Sequence, residues 1–180
     1  MRVIAGKYRG LTLAEFKGRD IRPTADRVKE SLFNILSAEI HGARVLDLFC
    51  GSGNLGIETI SRGAEFAHFN DISKDSIAVL NKNLSRLKDN NYSVTTLDYS
   101  VCLARADKFD IIFIDPPYAA EHGVNALKII AQGNNLTEDG IAVFERDKSF
   151  EAEIAGLEKY DERKYGKTYL TFFRRVNAEK

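Results

Sequence analysis

The stretch LDLFCGSGNLGIE, residues 46–58, decides the fold. An apolar segment typical of a buried strand runs into Gly51, Gly53 and Gly56, and a helical pattern follows. Glycines let the backbone approach a ligand closely, and the N-terminus of the following helix offers free N–H groups. The spacing therefore predicts a strand–loop–helix unit that binds a nucleotide-like ligand.

Strands and helices alternate along the chain that follows this unit. The pattern predicts strands at 43–49, 65–71, 92–98, 109–115 and 140–146, and helices at 54–63, 73–88 and near 122–132. Repeated strand–helix units indicate a parallel, doubly wound sheet. Two further strands around YGKT (165–168) would form an antiparallel hairpin at its edge, which makes seven strands in all.

The sequence before residue 41 does not show this alternation. RVIAG and LTL flank the turn KYRG and predict a short hairpin, and a helix with one apolar stripe follows, for which Thr24 is a candidate N-cap. We therefore expect one α/β domain over 1–180 with a Rossmann-like sheet, in which 1–40 form an N-terminal extension and 41–180 the core.

The composition is that of an ordinary globular domain: 180 residues, 44% of them apolar and 29% charged. No apolar run approaches a membrane span, and the N-terminus has no signal-peptide pattern. Cys50 and Cys102 form no CxxC pair, so we expect a reducing, cytoplasmic setting. His41, His68 and His122 are not spaced as ligands, and no metal site is expected.

The net charge of zero hides an uneven distribution. Residues 1–30 hold 8 Lys and Arg against 4 Asp and Glu, and residues 159–180 hold 7 against 3, which is +4 at each end. Residues 31–158 hold 11 against 19, which is −8. Basic ends suit contact with a polyanion, whereas an acidic centre suits a cationic or sulfonium ligand.

Three acids at predicted strand ends indicate which ligand the glycine loop binds. Asp71 ends the second strand, 20 residues after Gly51, where an acid can bind the two ribose hydroxyls. Asp47 precedes the loop, where it would repel a pyrophosphate but attract an α-amino group. Asp98 ends the third predicted strand and can accept a hydrogen bond from an adenine amino group. These acids favour S-adenosylmethionine over a dinucleotide such as NAD.

The segment FIDPPYAAEHG, residues 113–123, carries the second candidate site. The Asp115 carboxylate and the Pro116 carbonyl can each accept an N–H of an exocyclic base amine, which orients the weakly nucleophilic nitrogen toward a methyl donor. Proline stiffens this turn through its fixed φ. Tyr118 offers an aromatic face on which a flipped-out base can stack. We expect Asp115, Pro116 and Tyr118 to form the catalytic set.

DPPY resembles the signature of amino-methyltransferases that use S-adenosylmethionine, and it leaves adenine, cytosine and guanine open as the target base. MRVIAGKYRGLTL, IRPTADRVKESLFNIL, VLDLFCGSGNLGIETISRGA and the late KYGKTYLTFF together resemble the RsmD-type guanine-N2 methyltransferases of 16S ribosomal RNA. This resemblance covers nearly the whole chain. It implies a class I methyltransferase fold and methyl transfer to guanine N2 in small-subunit ribosomal RNA, acting on an RNA–protein assembly; we expect a monomer.

The same resemblance implies roles for individual residues. Those expected to face RNA phosphates are Lys7, Arg9, Arg22 and Arg27. Thr24 would shape the entrance to the site, and Tyr165 lies in the terminal hairpin turn as a further candidate RNA contact. The expected cofactor-binding set is Asp47, Phe49, Gly51, Gly53, Asp71, Ile72, Asp98 and Asp115.

Two departures from the family pattern stand out. FNDIS places Asp71 where a longer Glu is more common, and Ser73 replaces a second acid. Lys29 stands where the family often has Arg, which would keep the charge but lose bidentate contact with a phosphate. Two alternatives remain open from sequence: another RNA or DNA amino-methyltransferase, and an RNA-binding assembly factor that has lost turnover.

Overall fold

The structure, a computed structural model, describes residues 1–15, 26–117 and 120–176, apart from the side chain of Ala120. Arg22, Thr24 and Tyr118, which the sequence singled out, lie outside the described residues. The helices are α1 (Asp26–Ile35), α2 (Asn54–Ser61), α3 (Lys74–Leu84), α4 (Tyr99–Arg105) and α5 (Ala120–Gln132). The strands are β1 (Arg44–Asp47), β2 (Phe66–Asn70), β3 (Tyr92–Thr95), β4 (Phe109–Ile114), β5 (Leu136–Arg146), β6 (Leu157–Tyr165) and β7 (Thr168–Arg175).

All seven strands join one sheet in the order β3-β2-β1-β4-β5-β7-β6. The pairs among β1 to β5 are parallel, whereas β7 runs antiparallel to both β5 and β6. This confirms the predicted mostly parallel sheet with an antiparallel hairpin at one edge. The strand order reverses between β1 and β4, and open α/β sheets bind ligands at such a switch point, outside the carboxyl ends of the strands. We call the side where β1–β5 end the carboxyl edge and the opposite side the amino edge.

Helices cover both faces of the sheet because the central strands are apolar on both sides. Alternate side chains of a strand point to opposite faces. Val45 of β1 packs in one apolar cluster with Leu32 of α1, whereas its neighbour Leu46 packs in another with Leu127 of α5. Among the described residues no helix is long and apolar enough to cross a membrane.

The N-terminal segment forms the predicted hairpin with a single antiparallel bridge, between Arg2 and Thr12. Its turn lies against the far end of α2, where the Lys7 amide donates a hydrogen bond of 2.9 Å to the Ser61 carbonyl. Helix α2 starts at the glycine loop and runs toward the amino edge. The turn that carries Lys7 and Arg9 is therefore at the amino edge, away from the glycine loop.

Some boundaries differ from the sequence prediction. Helix α3 ends at Leu84 rather than 88, and β5 starts at Leu136 rather than 140, with an irregular register against β4. Strand β3 ends at Thr95 rather than 98, because Asp98 caps the short helix α4, which the sequence analysis did not predict.

Candidate active site

The glycine loop connects β1 to α2 at the carboxyl edge. Gly51 has φ +53° and Gly53, the N-cap of α2, has φ +86°, which are left-handed conformations that favour glycine. A Cβ placed on Gly51 would meet no atom within 4 Å, so open space lies directly over the loop. The loop is thus shaped as a cradle that a ligand can enter.

Asp71 follows β2 and holds the glycine loop in place through a hydrogen bond. Its carboxylate accepts a hydrogen bond of 2.9 Å from the Gly51 amide and another of 2.9 Å from the Ser73 amide. The Ser73 hydroxyl in turn accepts from the Ser76 amide and caps α3, which gives this departure from the family pattern a structural role. Ile72, beside Asp71, leaves 69% of its surface exposed, an unusual position for a large apolar residue and one available to a ligand.

Asp47 ends β1 beneath the loop and is only 2% exposed. The pKa of its carboxyl is raised to about 7, mainly by burial and in smaller part by the charges of Asp115 and Asp71, while a hydrogen bond of 2.9 Å from the Gly56 amide opposes the rise. A carboxylate in this position is poorly solvated. It is therefore suited to hold a cationic group of a ligand.

Asp115 directly follows β4, the strand beside β1. The ladder pairs Asp47 with Phe113, so Asp115 lies two residues beyond the level of Asp47 on the neighbouring strand. Asp115 is half-buried, and its loss of solvent raises its pKa to about 6. Pro116 follows it and is also half-buried. The structure thus brings Asp115 and Pro116 to the glycine loop, while Tyr118 lies outside the described residues.

Asp98 does not end β3, as the sequence suggested, but lies three residues beyond it at the N-cap of α4. Its carboxylate accepts hydrogen bonds from the Ser100 hydroxyl and from the Ser100 amide, at 2.5 and 2.8 Å, and these bonds lower its pKa. Asp98 is therefore ionised at neutral pH. It still lies at the carboxyl edge, with half of its capacity as an acceptor used by its own helix.

An aromatic wall adjoins Asp98, and the sequence predicted only part of it. The ring of Tyr99 lies 5.5 Å from that of Phe49 and 5.4 Å from that of His122, centroid to centroid. Phe49 was in the predicted cofactor set, whereas His122 was assigned no role. The sequence offered a signal for two of the three, since Phe49 and Tyr99 follow the ends of β1 and β3 by two and four residues, whereas His122 comes eight residues after β4.

The candidate RNA residues separate into two groups. Arg27 is exposed in the first turn of α1, two residues before Lys29, which bonds Asn54 at the start of α2. Tyr165 lies at the β6–β7 turn, half-buried against the apolar cluster that contains Leu32 of α1. Lys7 and Arg9 lie at the amino edge, where the Lys7 ammonium pairs with Asp89 at 2.6 Å. The structure therefore brings Arg27 and Tyr165, but not Lys7 and Arg9, to the edge that carries Asp115.

Lys29 does not contact phosphate, and that expectation was wrong. Its side chain is fully buried, and its ammonium forms an ion pair of 3.1 Å with Glu58 and a hydrogen bond of 2.8 Å to Asn54 Oδ1. An amphipathic helix can turn a lysine inward when a buried carboxylate faces it. Here that carboxylate comes from α2, 29 positions later in the chain.

Comparison with known proteins agrees with this geometry. The Bacillus subtilis protein YlbH is 37% identical, over 97% of this chain and 99% of its own. Ribosomal RNA small subunit methyltransferase D of Haemophilus influenzae is 35% identical over 82% of this chain and 79% of its own. The solved structure of yhhF from Escherichia coli has a TM-score of 0.85 and 31% identity, with 97% of each chain covered.

A family model described as Conserved hypothetical protein 95 matches residues 1–174, nearly the whole chain. The sheet order, the glycine loop and the acids at the carboxyl edge lie within this match. The resemblance found in the sequence is thereby confirmed: the chain belongs to this family, that of the RsmD-type methyltransferases.

Proposed function

We propose that this protein transfers a methyl group from S-adenosylmethionine to the exocyclic N2 amine of a guanine in small-subunit ribosomal RNA. The observation that carries the proposal is the placement of Asp47 and Asp115 on neighbouring strands at the switch point of the sheet, beside the glycine loop. One acid serves a cationic donor and the other serves the acceptor amine.

The residues around the loop suit S-adenosylmethionine. Its sulfonium group makes the attached methyl carbon electrophilic. Asp47 would hold the α-amino group, because a buried carboxylate gains most from a cationic partner. Asp71 would accept from the ribose hydroxyls, and the aromatic wall with Ile72 would pack against the adenine ring. The open space over Gly51 leaves room for such a group.

Asp115 and Pro116 would position the amine. The carboxylate accepts one N–H and the Pro116 carbonyl accepts the other, which directs the nitrogen lone pair at the methyl carbon. As the nitrogen–carbon bond forms and the carbon–sulfur bond breaks, the amine releases one proton toward Asp115 or to water. With a pKa of about 6, Asp115 is ionised at neutral pH and able to accept it. Positioning then supplies most of the rate gain.

The choice of RNA rests on relatives and on charge. The Haemophilus influenzae relative is named a ribosomal RNA small subunit methyltransferase. Both chain ends of this protein are basic, which suits a polyanion. Tyr118 would stack on the flipped guanine, Arg22 would face an RNA phosphate, Thr24 would shape the entrance to the site, and the enzyme would act as a monomer on an RNA–protein assembly.

The test offers radiolabelled S-adenosylmethionine with free 16S ribosomal RNA, assembled small subunits or duplex DNA, and then maps the labelled base. Label on the N2 of one guanine in ribosomal RNA is the expected result, and the Asp115→Asn variant provides the background. Label on DNA, on another base, or on no substrate at all would overturn the proposal.

A further inference from the structure

The carboxyl edge is divided by charge between β4 and β5. Across one half, the acids that follow β3, β2, β1 and β4 are Asp98, Asp71, Asp47 and Asp115. The other half carries cations: Arg146 ends β5, Lys148 follows it, and Lys164 and Lys167 flank the β6–β7 turn. This turn lies at the same edge, because β7 is antiparallel to β5 and pairs Tyr169 with Arg146. We call these four cations the basic side.

Arg146 lies nearest to the reacting groups. The β4–β5 ladder ends at the pair Ile114–Phe144, and Pro116 and Arg146 each lie two residues beyond that pair, with Arg146 still paired to Tyr169 of β7. The guanidinium carbon lies 5.6 Å from the ring centroids of both Phe144 and Phe150, which hold it in place.

One nitrogen of the Arg146 guanidinium, Nε, is buried and has no hydrogen-bond partner among the described residues. None of the ion pairs found among those residues includes Arg146. Leaving a buried donor without an acceptor is unfavourable. A fixed, unpaired guanidinium beside the catalytic turn is therefore suited to accept an anionic ligand.

The two lysines of the hairpin extend this cationic surface outward. Both are exposed, and neither forms an ion pair with a described residue; the Lys164 ammonium lies 5.3 Å from the centroid of the Tyr169 ring. Together with Gly166, Tyr169 and Asp147 they line an open concavity of about 430 Å³. Asp147 is the one acid in segments 146–148 and 164–167, which hold four cations and so carry a charge of +3.

We infer that the basic side binds the phosphates of the single-stranded RNA that flanks the target nucleotide, with Arg146 on the phosphate nearest to the reacting base. This inference rests on the proposed function and adds where the strand runs. The acidic half repels a polyanion and the basic half attracts it. The strand would thus lie over β5–β7, and only the flipped base would cross to Asp115. Tyr165 and Tyr169 provide aromatic faces between the cations, as single-strand binders do.

The test compares two double variants with the same change in charge. Lys164→Glu/Lys167→Glu removes the outer cations, and Lys82→Glu/Lys128→Glu, on exposed faces of α3 and α5, is the matched control. Affinity for a single-stranded ribosomal RNA fragment is measured between 50 and 300 mM KCl, together with the KM for RNA and the affinity for S-adenosylmethionine by calorimetry.

We expect the variant Lys164→Glu/Lys167→Glu, called the hairpin variant, to weaken RNA binding and raise the KM for RNA at least tenfold. The slope of log affinity against log salt concentration should be smaller by about 1.4, which corresponds to two lost single-strand phosphate contacts. Cofactor affinity should stay within twofold. Arg146→Gln should weaken RNA binding, and Arg146→Lys should restore most of it. Equal effects in the hairpin variant and its control would overturn the inference. If wild type methylates no RNA, the proposed function fails, while the binding comparison still decides where RNA lies.

Discussion

Lys29 and Glu58 form an ion pair of 3.1 Å in which both side chains are fully buried. The same carboxylate accepts hydrogen bonds from the amides of Ile4 and Ala5, at 2.8 and 3.0 Å, and from Arg62 Nε at 2.8 Å. Glu58 thus joins α1, α2 and the N-terminal hairpin at a single buried point. The hairpin is also held by Ser61, which bonds the Tyr8 amide and the Ala5 carbonyl, and by Val3 and Leu13 in the core, so Glu58 is one of several anchors and the one that carries a buried charge.

Glu58→Gln should therefore destabilise the fold strongly. The change leaves the Lys29 ammonium buried without its counter-charge, and burial already lowers the pKa of Lys29. Breaking one partner of a buried pair typically lowers the free energy of unfolding by about 3–5 kcal/mol. Denaturant unfolding followed by circular dichroism measures this loss.

A double variant distinguishes the effect of losing the ion pair from the effect of losing side-chain packing. Lys29→Met/Glu58→Gln should be more stable than Glu58→Gln alone, because the fully buried ammonium of Lys29 is no longer left without a counter-charge. Arg163→Ala, which breaks an exposed pair with Asp161, serves as the surface control and should lower the free energy of unfolding by no more than about 1 kcal/mol. If the losses of unfolding free energy in Lys29→Met and Glu58→Gln simply add up in the double variant, the ion pair does not explain the instability of Glu58→Gln.

Asp47 should make the ligand-free protein less stable as pH rises from about 4 to 7. Its pKa is near 3.8 in the unfolded chain and about 7 when folded, so in this window the folded state holds a proton that the unfolded state has lost. Stability falls with pH wherever the folded state binds more protons, by at most about 1.4 kcal/mol per pH unit for one group. The contribution of Asp47 to the free energy of unfolding is complete below about pH 4 and is lost above about pH 7.

Asp47→Asn provides the comparison, since the amide oxygen can still accept from the Gly56 N–H but cannot ionise. The difference in unfolding free energy between variant and wild type should grow from pH 4 to 7 and then level off. Cofactor binding to wild type should tighten over the same range, because an ionised Asp47 is the form that holds a cation. A constant difference across pH would exclude a raised pKa.

Gly56→Ala should damage both stability and cofactor binding. A Cβ at Gly56 would lie 2.2 Å from Cε1 of the buried Phe69 ring, so α2 must shift away from β2. Overpacking of this kind destabilises by about 1–3 kcal/mol. The shift would also move the Gly56 amide from Asp47 and distort the glycine loop.

Gly10→Ala is the matched control. Gly10 has φ +84° but open space around a Cβ, and it lies in the hairpin at the amino edge. Its replacement should cost about 1–2 kcal/mol of backbone strain and leave cofactor affinity unchanged. Calorimetry measures the affinity of Gly56→Ala and of Gly10→Ala for S-adenosylmethionine. Equal affinities for the two variants would show that the close packing of α2 on β2 does not determine the shape of the glycine loop.

The sequence predicted the sheet and most of the site because both depend on local patterns. Strand–helix alternation is visible in periodicity, and the glycines, Asp47, Asp71 and Asp115 occupy strand ends that a parallel sheet brings to one edge. Asp98 was misplaced because a seven-residue helix after a short strand leaves too few turns for a periodic signal.

Other features depend on partners that are distant in the chain. Nothing near Lys29 shows that Glu58 faces it, and a lysine in an amphipathic helix is expected at the surface. The turn of the N-terminal hairpin, with Lys7 and Arg9, has the same basic sequence whether it lies near the site or, as found, at the amino edge. The charge division of the carboxyl edge needs the strand order, since Arg146 and Lys164 come to opposite sides of Tyr169 only because β7 lies between β5 and β6.

Asp115→Ala should abolish methyl transfer while cofactor affinity changes little, because the carboxylate serves the acceptor amine rather than the donor. The wild-type rate at saturating substrates should also fall tenfold per pH unit below about 6, since a protonated Asp115 is an uncharged, weaker acceptor and cannot take up the proton that the amine releases. Single-turnover assays between pH 5 and 8.5 measure both effects, with calorimetry confirming that the variant still binds S-adenosylmethionine. Asp115→Asn retains one acceptor oxygen and should show a small residual rate that is independent of pH. Undiminished turnover by Asp115→Ala would assign the acceptor role to another group, and a pH-independent wild-type rate would mean that Asp115 does not titrate in the working complex.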